Sequence, residues 1–321
     1  MVAAWVIGSN GLLGSALRHE LALDRTPPFV PAARFDWADP VALRQQLTAA
    51  VGAFADWARA ASRWEIYWAA GVGTMRSQPH ELETETAAFR TLLEGIHGHE
   101  VLRLREGRIV LASSAGAIYA GSDDPIITEH TPRSPTTAYA LAKLAQEAAL
   151  EAFASSMPRC RGVIGRLSTL YGAGHARDKQ QGLVSNIARR IVMNLPIHIF
   201  VPLDTIRDYI AAEDAAGELI FLTRSDATAA GPQGATLMRI IADGKPTTIS
   251  EILAIFRSIA RRAPRVVTSR SAASSIYSPQ INFRPIALGE YVHRVSLVVG
   301  IKQVLEAERH SFVRGQTRMN A

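Results

Sequence analysis

The chain has 321 residues, 48% of them hydrophobic and 20% charged, a balance that fits a globular protein with a sizeable core, as one large domain with an appended lobe or as two modest domains. Its single cysteine, Cys160, excludes an intrachain disulfide and reads as a small buried apolar side chain. The net charge of +6 is scattered, densest at Arg189-Arg190 and Arg261-Arg262, and no nucleic-acid motif accompanies it; dispersed arginines suit a phosphate-bearing small ligand.

The N-terminal stretch from Met1 to Gly14 is apolar, has no basic residue before it and breaks at three glycines. It reads as a strand and turn, not a signal peptide. No run of 18 apolar residues is free of charge, so no membrane span and a cytoplasmic protein are expected.

In chain order, residues 3–7 form a strand, 12–23 a helix and 29–33 a short second strand. Asp39-Pro40 opens a helix to about Val51, with the acid as cap and proline at the first helical position. A strand at 65–69, a helix at 81–94, a strand at 108–112, a helix at 138–155 and a strand at 162–166 follow. This alternation predicts an α/β fold: parallel βαβ units in a doubly wound sheet. Beyond it the pattern is mixed. Residues 183–193, 214–222, 250–260 and 304–312 read as helices, and 237–241 and 265–268 as extended. The stretches 122–135 and 269–285 read as polar loops and 315–321 as a frayed tail. The division expected is a first domain over 1–171, with segments such as 201–222 returning to it, and a smaller mixed lobe over 172–321.

Directly after the first strand stands Gly8-Ser9-Asn10-Gly11-Leu12-Leu13-Gly14. Glycines here permit a tight turn, close approach of a pyrophosphate and close packing of helix on strand. The helix that follows supplies free N–H groups and a positive dipole end. Strand before and helix after are the context a dinucleotide site needs.

Tyr139 and Lys143 lie four apart on a predicted helix and share a face. An ammonium beside a phenol favours the phenolate, which suits acid/base work next to a nicotinamide. With 7 tyrosines among 321 residues and only four lysines (143, 179, 245, 302), chance predicts about 0.09 such pairs. The run Ala112-Ser113-Ser114-Ala115-Gly116-Ala117-Ile118-Tyr119 ends a strand, where α/β sites form, and supplies a hydroxyl from Ser114 or Ser113.

The Gly-x-x-Gly-x-x-Gly spacing, with the serine-rich segment and the Tyr-x-x-x-Lys pair, resembles the extended short-chain dehydrogenase/reductase superfamily, and within it the NAD(P)-dependent nucleotide-sugar epimerases and dehydratases. The resemblance runs from Met1 to about Gly217. It implies a Rossmann-type domain, NADP or NAD as cofactor, a nucleotide-sugar substrate and a homodimer, with no nucleic-acid or membrane partner. It implies cofactor contacts from Gly8, Asn10, Gly11, Leu12 and Gly14, from Asp36 and Trp37 near the adenine, from Ala69, Ala70 and Gly71 (with Trp68 and Val72 beside them), and from Lys143 on the nicotinamide ribose. Arg34 stands where an acid would bind the adenosine ribose, and arginine suits a 2′-phosphate, which tips the choice towards NADP; the alternative is a solvated side chain.

Glu129 and Pro135 resemble the family's approach to the active-site helix. Thr169 matches the residue that many relatives place on the substrate as asparagine, and Arg207, in Arg207-Asp208-Tyr209, matches an arginine that clamps a substrate diphosphate. A salt bridge is the alternative for Arg207. Three departures stand out. Ala115 occupies the usual catalytic Ser/Thr position, Glu85 stands where many relatives have asparagine, and Ala115-Gly116 lacks the acid pair of the dehydratases. An epimerase or ketoreductase remains, epimerase first. The rival is a non-catalytic, NADP-sensing binding protein of the same fold, whose mark would be loss of the Tyr or Lys. His97-Gly98-His99-Glu100 has no metal-ligand spacing and reads as a polar helix end, with no metal expected.

Overall fold

The computed structural model describes residues 1–71, 73–75, 77–174, 182–225, 234–261, 264–269, 280–286 and 291–319, the last five by backbone alone. Val72, Lys179 and most of the 269–285 loop lie outside the described residues.

Strands β1 (Val2–Ile7), β2 (Arg63–Trp68), β3 (Glu106–Ser114), β4 (Cys160–Leu167) and β8 (Thr236–Ile241) form one sheet in that order, parallel throughout. Five residues of β1, Ala3 to Ile7, are buried, as expected of a strand covered on both faces. Helices α2 (Pro40–Trp57), α3 (Pro79–Gly98) and α6 (Ala138–Ser156) cover one face, packing Leu47, Phe54, Phe89, Leu92 and Leu150 on Trp5, Trp64 and Ile66. Helices α1 (Leu12–Leu23) and α8 (Ala212–Arg224) cover the other, with Leu17, Leu21, Ala215 and Leu219 on Val6, Val110 and Val163.

The second strand expected at 29–33 is reduced to a single parallel bridge between Phe29 and Trp5. Pro27, Pro28 and Pro31 surround it, and each removes a ladder donor. Phe29 nevertheless takes the strand's place, donating its N–H to Ala4 O at 2.7 Å on the edge of β1 away from β2. The chain therefore leaves β1 to one side and returns on the other, and the crevice at the carboxyl end of β1 is a topological switch point.

Two short helices, α4 (Glu100–Leu104) and α5 (Ala115–Ile118), flank β3. Helix α3 ends at Gly98, so His97 to Glu100 is the junction of two helices. The remaining elements build a second core: β5 (Thr169–Tyr171), α7 (Leu183–Val192), β6 (Ile197–Ile199), β7 (Ile206–Ala211), β9 (Pro246–Thr248), α9 (Ile249–Ala260), β10 (Val266–Thr268) and α10 (Leu297–Met319). Here β7 pairs parallel with β5 and antiparallel with β9, and β6 pairs with β10. The expected tail at 315–321 is helical through Met319, because α10 continues past the predicted end at Phe312.

Candidate active site

Gly8 has φ +86°, a conformation open to glycine, and a Cβ on it would stand 2.5 Å from Ala70 N. A Cβ on Gly14 would stand 2.1 Å from Gly8 O, so helix and strand can meet this closely only through glycine. Gly11 donates to Gly8 O at 2.9 Å and opens α1 without any side-chain cap. Bare backbone at an uncapped helix start is the geometry that receives a diphosphate, so the turn fits a dinucleotide.

The segment after β2 runs from this turn to the tyrosine–lysine pair. Ala69 and Ala70 pack on Gly8. A Cβ on Gly71 would lie 2.9 Å from Glu85 Oε1, and one on Gly73 would lie 3.1 Å from the Tyr139 ring. The glycine turn and the helix-borne pair, separated by some 130 residues of sequence, thus flank one short strip of chain.

Thr137 caps α6, accepting from Ala140 N at 3.2 Å, and so fixes the turn that carries Tyr139. Tyr139 is half-buried, and Lys143 Nζ stands 5.7 Å from its ring centroid. Lys143 is 4% exposed. It donates to Glu85 Oε1 at 2.8 Å and to Gln146 Oε1 at 3.2 Å, while Gln146 Nε2 donates to Glu85 Oε1 at 3.1 Å. Burial alone would lower the lysine's pKa, but Tyr139 and Glu85 outweigh it and the pKa is raised. Burial likewise pushes the Glu85 carboxyl up, and Lys143 and Gln146 bring it below its ordinary value. Glu85 Oε2 is buried and completes no hydrogen bond.

The two candidate serines part company. Ser113 is buried and donates to Glu147 Oε1 at 2.6 Å. Glu147 also receives Arg166 Nε at 3.0 Å and Nη2 at 2.6 Å, and Arg166 Nη1 donates to Tyr119 Oη at 2.5 Å. Ser113 is therefore committed to a buried network. Ser114 is half-buried and caps α5, accepting from Ala117 N at 3.3 Å, which leaves its hydroxyl proton unassigned.

Arg34 is exposed and makes no hydrogen bond or ion pair among the described residues. Phe29 stands level with Trp5 on the edge of β1, and Arg34 follows five residues later in the chain. Asp36 turns inward on its own loop, accepting from Ala38 N at 3.0 Å, and Trp37 packs at 6.1 Å on Trp68. Asn10 is exposed on the turn, and Leu12 packs on the core under α1.

Thr169 and Arg207 lie on the paired strands β5 and β7, where Thr169 is opposite Tyr209. Both are half-buried, and Arg207 Nη1 donates to Ile206 O at 2.6 Å. Asp208, beside Arg207, is buried and gathers Ser168 Oγ at 2.6 Å and the N–H groups of Asp243, Gly244 and Lys245 at 2.9, 2.7 and 3.1 Å. Burial raises its pKa against those donors. Glu129 ties the approach to α6 to the sheet, accepting from Ile240 N and Ile286 N, each at 3.0 Å.

Sequence reasoning took Glu85 as a departure and missed it as the partner of Lys143. The available signal was its position in the apolar stripe Leu82, Glu85, Phe89, Leu92, Ile96 of α3. A carboxylate on a buried stripe needs a cation.

The family model described as "NAD dependent epimerase/dehydratase family" matches residues 4–233. A curated relative, the dTDP-4-dehydro-6-deoxyglucose reductase of Escherichia coli, is 32% identical over 107 residues, which span 33% of each chain. The match thus covers about a third of that relative's length. Among solved structures, MoeE5 in complex with UDP-glucose and NAD aligns over 97% of this chain and 99% of its own, at 20% identity and a TM-score of 0.74. RMD from Pseudomonas aeruginosa complexed with NADPH aligns over 96% and 99%, at 18% identity and a TM-score of 0.74. At that identity the structural likeness speaks for the fold. Among the described residues no helix is long and apolar enough to cross a membrane.

Proposed function

We propose, from the premise that this chain belongs to the NAD dependent epimerase/dehydratase family, that it is an epimerase moving a hydride off and back onto one carbon of a nucleotide-activated sugar. The observation that carries the reading is that Ala69 and Ala70 pack on Gly8 while Gly73 lies against the Tyr139 ring. When bound, the nicotinamide dinucleotide supplies the hydride acceptor and donor.

Tyr139 Oη takes the proton of the sugar hydroxyl as the carbonyl forms, and returns it when the carbonyl is reduced on its other face. Lys143 Nζ, held by Glu85 and Gln146, keeps one N–H for a ribose hydroxyl or the phenol. Ser114 Oγ is the hydroxyl free to donate to the reacting oxygen. Arg207 is the side chain for a substrate diphosphate, and Thr169 lines the same two-strand ribbon.

A single reduction by NADPH is the second reading. It is favoured by Arg34, exposed and without an ion pair among the described residues, a side chain suited to a 2′-phosphate.

Purified protein incubated with a panel of UDP- and dTDP-sugars, with NAD(H) and with NADP(H), tests both. Interconversion of two epimers with no net change in cofactor redox state is expected, and Tyr139→Phe slows it by about 10²–10⁴-fold. Net consumption of NADPH with a keto-sugar selects the second reading. Turnover that survives Tyr139→Phe unchanged would overturn both.

A further inference from the structure

We propose that Glu85 is a positioning residue that cancels the charge of Lys143, so that the site holds the cationic, oxidised nicotinamide about as well as the neutral, reduced one. This rests on the reading above, in which the nicotinamide lies against Tyr139 and Lys143.

Nothing in the packing of α3 calls for a carboxylate at position 85. Its neighbours on the stripe are Leu82, Phe89 and Leu92, and Glu85 is 5% exposed. A buried ion pair is no more stable than a well-packed apolar pair of similar volume, so stability does not account for the charges. Their placement does.

The carboxylate lies directly against Gly71, in the strip that links the glycine turn to Tyr139, and any side chain at 71 would meet it. Gln146 bridges acid and base, accepting from Lys143 and donating to Glu85, so the three groups form a closed ring that fixes Nζ. Glu147, a second carboxylate near Lys143, is occupied by Arg166 and Ser113. Tyr139 also faces the ammonium, as the proposed acid/base, so Glu85 is the carboxylate left to balance it.

Oxidation of a nicotinamide ring adds one positive charge. Beside an unbalanced ammonium, poorly screened by water, that charge would be repelled and the reduced form favoured by about ten- to a hundredfold. An ion pair at the same place removes most of the difference. An epimerase needs this, because it keeps one cofactor through both redox states, whereas a reductase releases the oxidised form each cycle.

The test is the ratio of dissociation constants for oxidised and reduced cofactor, measured on the full chain for wild type, Glu85→Gln and Lys143→Met. Reduced forms are followed by fluorescence and oxidised forms by competition, with NAD and NADP each tried. Any hydrogen bond from Lys143 to the ribose is common to both forms, so its removal weakens them alike and cancels in the ratio.

Glu85→Gln is expected to raise the ratio, oxidised over reduced, by about ten- to a hundredfold, chiefly by loosening the oxidised form. Lys143→Met is expected to lower it, because the carboxylate then stands alone. Should Glu85→Gln not fold, Lys143→Met carries the test through its opposite sign. A ratio unchanged within about threefold in both variants, with cofactor still bound, overturns the charge-balance proposal and leaves the functional reading standing. Failure of the wild type to bind either form overturns the reading, and the proposal with it.

Discussion

Helix α6 carries two buried ion pairs one turn apart, and they are built to different ends. Glu147 and Arg166 are saturated. Two guanidinium nitrogens and the Ser113 hydroxyl meet one carboxylate, and Tyr119 takes another guanidinium nitrogen. Lys143 and Glu85 are left incomplete, with one ammonium donor unassigned and one carboxylate oxygen without a partner. A filled network locks α6 to β3 and β4, whereas the other leaves one ammonium hydrogen of Lys143 for a further acceptor. Residues 143 and 147 differ by one helical turn, yet one is assigned to the proposed chemistry and the other to the frame.

The widest way to break this contrast is to remove one member of each pair. Lys143→Met is expected to cut turnover by about 10²–10⁴-fold while the protein stays folded, since the Glu85 carboxylate keeps the Gln146 amide as a donor. Steady-state kinetics beside a urea melt separate the two effects. Glu147→Ala should do the reverse. Arg166 is then a buried cation with no acid, and about 3–5 kcal/mol of stability is lost in the same melt. If the first variant unfolds and the second melts normally, the roles assigned to the two pairs are exchanged.

The sequence already separated these regions in part. Alternating apolar runs and helical periods foretold the parallel sheet, and each of its strands lies within a few residues of its expected span. The tyrosine and lysine were legible because helical spacing is local. The edge strand at 29–33 was misread because apolar content outweighed three prolines in the reading, while backbone donors decide strand formation. Strands β5, β6 and β9 have three residues each and carry no period of their own; long-range pairing makes them. Glu85 and Lys143 are 58 residues apart, and only the burial of two helices against each other shows that their charges meet.

A third clasp, far from α6, shows how a filled cluster behaves when its charge can change. His293 joins α8 to the segment after β8, with Nε2 at 2.9 Å from Glu218 and Nδ1 at 3.3 Å from Asp243. The hydrogen bond to Glu218 is the main cause that raises its pKa to about 9, against burial. A folded-state pKa above the unfolded value near 6.5 means that this stability is complete below about pH 6.5 and lost as pH rises through about 9. The expected loss is about 2 kcal/mol, discounted for partial exposure. Urea melts at pH 6 and pH 9.5 should show it in wild type and not in His293→Asn; parallel curves for the two proteins would place the clasp's contribution elsewhere.

The smallest effect is the sharpest test of the contrast, because it sets adjacent residues of one strand against each other. Ser113 and Ser114 end β3 and, as neighbours in a strand, point to opposite faces. Ser113 meets Glu147, so Ser113→Ala removes one of three donors from a buried carboxylate that keeps the other two. The expected cost is about 1–2 kcal/mol in stability, with turnover within about threefold of wild type. Ser114 gives α5 only a long capping hydrogen bond of 3.3 Å, so Ser114→Ala should cost under about 1 kcal/mol in stability. Its hydroxyl is the one available to a reacting oxygen, and losing a hydrogen bond that strengthens in the transition state slows turnover by about tenfold. If instead Ser113→Ala slows turnover and Ser114→Ala lowers stability, the frame reaches the substrate through Glu147, and the division drawn along α6 fails on β3.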